Sequence, residues 1–175
     1  MILIRAATPA DTPLILSLIQ RKAAFDRQIG AFSGQLGVSL ARLNRTLFGP
    51  KPFAQVLFAE FAEMESSTEA ATPMGFALYG FRYSSFAGQP SIWLDDLYVD
   101  DAFRSQGAGA LLMQQLVQIA QAQDCSHLAW TADARNERGL RFYRRLGAEV
   151  VRKEDHRCYF HWTPDVLLTQ REVTP

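Results

Sequence analysis

Apolar residues recur along the chain with two periods, two and about 3.6, and the switches between them mark out its elements. Residues 2–6 alternate and read as a first strand. Thr8, Pro9 and Asp11 then spell a helix start, with Thr8 as N-cap, Pro9 at the first helical position and Asp11 in the first turn, which predicts a helix over 9–29. Leu14, Ile15, Leu18 and Ile19 share its apolar face, and Ala23 and Phe25 extend the register loosely. Gly30, Gly34 and Gly37 break the pattern into a loop over 30–38. A shorter helix over 39–47 follows, stopped by Phe48-Gly49-Pro50-Lys51-Pro52.

Three apolar runs, 53–61, 74–83 and the one from Trp93 to Val99, read as strands. A small, polar connection over 64–73 and a turn over 84–90 join them, which is most simply an antiparallel meander. The period then changes to that of a helix over 107–123, with Leu111, Leu112, Leu116, Val117 and Ile119 apolar and Gln114, Gln115, Gln118 and Gln121 turned to water. The strand over 127–132 returns after this crossover and should lie parallel to the Trp93 strand. Asn136 and Glu137 open a helix that Gly147 stops, two strands over 149–153 and 156–162 follow, and 163–175 is a tail or short helix. The resulting order, β-α-α-β-β-β-α-β-α-β-β, predicts an α/β fold with a mixed sheet.

Composition sharpens this picture mostly by exclusion. With 175 residues, 48% of them hydrophobic, the chain is expected to form one domain over 1–175. Eighteen basic and eighteen acidic residues cancel, so there is no general electrostatic drive toward nucleic acid or an anionic membrane, and none of the chain approaches the ~20 apolar residues of a membrane span. Cys125 and Cys158 lack metal-ligand spacing and His127, His156 and His161 form no H-x-x-x-H pair, so no metal site is expected. The N-terminus lacks the pattern of a secretory signal, and a cytoplasmic location with free thiols is expected.

The chemistry concentrates where strand becomes helix, at Arg104-Ser105-Gln106-Gly107-Ala108-Gly109. Two glycines and an alanine leave the first N–H groups of a helix uncovered, and such groups, unpaired within the helix and carrying about half a positive charge, bind anions. Arg104 adds a cation beside them. The pattern is not a dinucleotide fingerprint, since Leu112 stands where the third glycine belongs, and it is not a P-loop, since no Gly-Lys-Ser/Thr follows. What remains is R-x-x-G-x-G after a strand ending Asp96-Leu97-Tyr98-Val99.

Together with Asn136-Glu137 and Phe142-Tyr143-Arg144-Arg145-Leu146-Gly147-Ala148, these residues resemble the GNAT N-acetyltransferase superfamily, and more narrowly its spermidine/spermine branch, which includes diamine and thialysine acetyltransferases. The resemblance implies an acyl-CoA N-acyltransferase fold, in which an antiparallel meander leads into a β-α-β unit that binds CoA. It implies acetyl-CoA as donor, a small-molecule primary amine as acceptor, and a homodimer. The CoA pyrophosphate would meet the N–H groups of Ser105, Gln106, Gly107, Ala108, Gly109 and Ala110 with Arg104 assisting, and the pantetheine arm would pair with the Leu97, Tyr98, Val99 edge. Asn136 belongs to the same cofactor set. Tyr143 occupies the general-acid position, and Asp95 the substrate-binding acid that could take the ammonium proton directly or through water. Asp26, Asp96 and Asp155 complete an acidic acceptor side.

Ser84 and Phe86 stand where the polyamine branch carries an acidic residue and a tryptophan. Losing a carboxylate removes one partner for a long polycation, so a shorter amine is expected: a diamine, a thialysine-like amino acid or another small primary amine. Two other readings stay open on the sequence, a CoA-binding regulatory module without turnover and a peptide or protein N-acetyltransferase.

Overall fold

The computed structural model describes residues 1–62 and 71–168. Most of the connection expected over 64–73 lies outside those residues, as does the tail beyond 168. The strands are β1 (Ile2–Ala6), β2 (Gln55–Phe61), β3 (Thr72–Ser84), β4 (Gln89–Val99), β5 (Leu128–Asp133), β6 (Glu149–Glu154) and β7 (Arg157–Trp162). The helices are α1 (Thr12–Gln28), α2 (Leu40–Phe48), α3 (Ala108–Ala122), α4 (Glu137–Arg145) and α5 (Asp165–Leu168). The strands form one sheet in the order β1-β2-β3-β4-β5-β7-β6. Only the β4–β5 pair is parallel, as a strand returning through the α3 crossover must be.

The element order is the one the sequence pattern gives, and the differences are local. The first turn of the helix expected over 9–29 is a tight 3₁₀ turn, because the Asp11 carboxylate reaches back to the Thr8 N–H at 2.7 Å and its hydroxyl at 2.9 Å. The turn expected over 84–90 shrinks, since Gln89 and Pro90 already pair with Ser84 and Tyr83. Pro90 needs no ladder donor at that end of the strand.

Helices cover both faces. Ile15 and Leu18 of α1 and Leu43 and Leu47 of α2 pack on Val56, Phe58, Phe76 and Tyr98. On the other face Leu112, Met113 and Leu116 of α3 meet Leu57, Ala77, Leu94 and Leu128, with Trp130, Tyr143 and Phe160 beside them. Each such side chain contributes about 1.5–3 kcal/mol on burial, so these two layers hold the sheet between them.

A bulge in β4 decides which residues face which layer. Leu97 pairs with Ala77 and Asp96 with Leu78, but the next β3 residue, Tyr79, pairs with Leu94, so Asp95 has no partner across the ladder. Ile92 and Leu94 therefore pack with α3, and past the bulge Leu97 and Val99 keep that face while Tyr98 turns to the α1 side. Pairing between β4 and β5 covers Ile92–Leu94 against Leu128–Trp130 and no further, so the β4 edge beyond Leu94 stands clear of β5.

Candidate active site

A cavity of about 550 Å³ opens where β4 and β5 part. One wall is the loop after β4 and the start of α3. Ser105 and Gly107 both take the left-handed backbone conformation, with φ of 65° and 95°, just ahead of the helix. Ser105, Gly107, Ala108, Gly109 and Ala110 all line the cavity. A Cβ on Gly109 would stand 3.4 Å from the Phe142 ring, so α3 and α4 are in contact here. Gln106 does not line the cavity; its side chain turns back to the Ala102 carbonyl at 3.1 Å.

Arg104 also lines the cavity, but its cation is already engaged. Its Nε donates to the Val99 carbonyl at 2.9 Å, it is ion-paired to Asp101, and its guanidinium lies 4.7 Å from the centre of the Phe25 ring. The side chain thus braces the loop against β4 and α1. A second arginine, Arg138 of α4, also lines the cavity and donates to Ser105 Oγ at 3.1 Å, which puts another guanidinium at the glycine turn. Asn136 lines the cavity too, and its Oδ1 caps α4 by accepting the Gly139 N–H at 2.9 Å.

The opposite end carries the titratable groups. Tyr143 sits on the buried face of α4, 4.8 Å from Trp130 and 5.2 Å from Phe160 by ring centres. Burial pushes its phenol well above the ordinary tyrosine value; the Lys22 cation pulls it partly back, and Asp96 and Asp26 push it further up. The group is therefore a protonated hydroxyl at any pH near neutral. Asp95, lifted out of the ladder by the bulge, is exposed and lines the same cavity.

Asp26 and Asp96 are brought together from α1 and β4 by Lys22, a residue that no sequence motif singles out. Lys22 Nζ stands 2.7 Å from Asp26 Oδ2 and 2.9 Å from Asp96 Oδ1. Burial alone would lower this ammonium, but the attraction of Asp96 and Asp26 outweighs it and holds the group above the ordinary lysine value. The Asp96 carboxyl is raised in turn, first by burial, with Lys22 opposing and the like charges of Asp95 and Asp26 adding to it. Asp155 is placed elsewhere, with φ of 47°, in the turn between β6 and β7 and outside the cavity lining.

Lys22 and Asp26 are visible in the sequence only as an i, i+4 pair of the kind common on solvated helix faces. Nothing local shows that Asp96 of β4 closes on them. Among the described residues no cluster of His, Cys, Asp and Glu could hold a metal ion.

Comparison with known proteins adds a family. The sequence profile of the acetyltransferase (GNAT) family matches residues 48–148, a span that includes β2 through α4. The chain is 30% identical to thialysine N-epsilon-acetyltransferase of Bos taurus, over 90% of this chain and 91% of that protein. It is 31% identical to human spermidine/spermine N(1)-acetyltransferase-like protein 1, over 94% of this chain and 23% of that longer protein. Among solved structures, the PaiA N-acetyltransferase of Thermoplasma acidophilum in complex with coenzyme A superposes with a TM-score of 0.65 at 14% identity, covering 93% of this chain and 99% of that one.

Proposed function

Because the chain belongs to the acetyltransferase (GNAT) family, we propose that this acetyl-CoA-dependent enzyme acetylates a primary amine of a small molecule, the amine attacking the donor directly in a ternary complex. The observation that carries the reading is the pairing, in one cavity, of a bare helix N-terminus with a buried, protonated Tyr143. The residues fit the donor. The N–H groups from Gly107 to Ala110 suit a pyrophosphate, Arg138 stands beside them, and the β4 edge past Leu94 offers Leu97 and Val99 backbone groups to an extended amide chain. Acetyl-CoA supplies an acyl group already activated as a thioester. Asp95 accepts the proton that an alkylammonium, with a pKa of about 10.4, must lose before it can attack, directly or through water. Tyr143, which burial keeps protonated, gives a proton to the departing thiolate, a transfer that its raised pKa makes uphill.

The acceptor reading, a diamine, polyamine or thialysine-like amine, rests on the relatives named for thialysine and for spermidine/spermine. The shorter of these are favoured, since Ser84 sits at the foot of the β3–β4 hairpin and Phe86 at its exposed tip, and neither supplies a carboxylate. The same reading includes a homodimer and a cytoplasmic location. The outermost strand, β6, exposes Val150 and Val151, a surface a second copy could cover, and light scattering on the eluting protein tests it.

The reaction is tested by thiol release from acetyl-CoA across a panel of small amines. Turnover should appear with short primary amines, and Tyr143→Phe should lower kcat by roughly 10²- to 10⁴-fold while leaving CoA affinity unchanged. Tight CoA binding with no thiol release from any amine would instead support a CoA-binding module. Turnover confined to peptides, insensitive to Asp26→Ala and Asp95→Ala, would support a peptide acetyltransferase.

A further inference from the structure

We propose that Lys22 is an internal counter-cation that sets acceptor choice: it fills the Asp26–Asp96 carboxylate pair, so the enzyme takes amines whose non-reacting end is neutral or zwitterionic and turns away those ending in a second free ammonium. This rests on the amine-acceptor reading above and narrows it.

The geometry gives Lys22 this role. Two carboxylates converge from different elements, α1 and β4, and both meet Lys22 Nζ, at 2.7 and 2.9 Å. The Lys22 side chain is 28% exposed, against 20% for Asp26 and 16% for Asp96, so the triad is partly withdrawn from water and its pairing is screened less than a surface ion pair. Lys22, Asp26 and Asp95 line the same cavity as Tyr143.

Charge then disfavours a diamine in two ways. Asp26, Asp96 and Lys22 sum to one negative charge where two bare carboxylates would carry two, so the triad draws a second ammonium less strongly. The ammonium would also have to displace Nζ and leave the Lys22 cation partly buried without its partners, which breaks a withdrawn ion pair and is strongly unfavourable. An acceptor whose far end is a hydroxyl or a zwitterion asks for neither. A lysine ammonium has three N–H donors, and with two directed at Asp26 and Asp96 the third can meet an oxygen of such an acceptor. Asp95, outside the triad and lifted by the bulge, remains for the reacting amine.

The test compares putrescine with its counterpart bearing a hydroxyl in place of one amine, for the wild-type chain, Lys22→Met and Lys22→Arg. Binding of each to the CoA complex is followed by calorimetry and turnover by thiol release. The wild type should favour the monoamine. Lys22→Met should shift the preference toward putrescine by roughly 10- to 100-fold, the scale of one additional charge-assisted hydrogen bond, in both binding and kcat/KM. Lys22→Arg should keep the wild-type preference, and unchanged CoA affinity will show that the site remains folded. An unchanged preference in Lys22→Met, or a wild type that binds putrescine better than the monoamine, overturns the inference. Calorimetry reads that preference without turnover, so a chain that binds the monoamine selectively yet transfers nothing refutes the proposed reaction and leaves the role of Lys22 standing.

Discussion

Burial and the proposed chemistry pull in opposite directions at Tyr143. The ring is clasped by Trp130 and Phe160, and the desolvation that keeps the phenol protonated also makes its transfer to a thiolate, a weaker base than a phenoxide, more steeply uphill. This has a consequence for stability. A phenol raised above its unfolded value of about 10 favours the folded state below that pH, and the contribution is lost as pH rises toward the folded value. The wild-type Tm should therefore fall more steeply than that of Tyr143→Phe as pH rises past about 10; parallel curves in thermal melts would show that the phenol is not held protonated by the fold. The residues of the site were unequally legible in the sequence. Tyr143, Asp95 and the glycines announce themselves through motif context, and the cavity gathers them. Arg104 was legible as a cation but not as a brace, because the Val99 carbonyl and the Asp101 carboxylate that hold it are fixed by the fold of the loop. Lys22 was invisible because its role depends on Asp96, 74 positions away and turned toward α1 past the β4 bulge.

At the scale of elements, the turn into α3 and the bulge in β4 build the cavity between them. Gly107 has φ of 95° and open space where a side-chain methyl would stand, so Gly107→Ala meets backbone strain and no clash. It should destabilise the protein by about 1–2 kcal/mol and weaken CoA binding, as the backbone at the start of α3 shifts; calorimetry with CoA beside a denaturant melt separates the two. Equal CoA affinity in the variant would mean that the left-handed turn does not hold the ligand. Periodicity was enough to find these elements, since the change from alternating to helical spacing after Val99 coincides with the end of β4 and the approach to α3. It could not find the bulge. Asp95 and Asp96 read as adjacent, opposite-facing residues of a regular strand, whereas the missing partner in β3 lifts Asp95 from the ladder and swaps the faces of the residues beyond it. A register shift is a property of two strands, and one strand's pattern does not contain it.

In the whole molecule, the sheet's first strand is locked to its neighbours by charge as well as by packing. Arg5 of β1 donates two hydrogen bonds to Asp11 ahead of α1, at 2.8 and 2.9 Å, and two to the Glu60 carboxylate of β2, at 2.7 and 2.9 Å. Hydrogen bonding to Arg5 holds the Asp11 carboxyl far below its ordinary value. A depressed carboxylate stabilises the fold above its unfolded pKa of about 3.9 and loses that contribution as pH falls below it. Asp11→Asn should thus lower Tm at neutral pH, with a gap to the wild type that narrows as pH drops from about 5 toward 2; a gap of constant size over that range would assign the effect to packing. At the far side of the sheet, β7 lies between β5 and β6, so Phe160 and Trp162 serve the core beside Trp130. Between these two flanks the parting of β4 from β5 opens the cavity. Acetyl transfer there is read most directly as the mass of a short primary amine after incubation with the enzyme and acetyl-CoA. One acetyl group should appear on the amine nitrogen for each CoA thiol released. Thiol release with the amine recovered unmodified would contradict transfer to the amine.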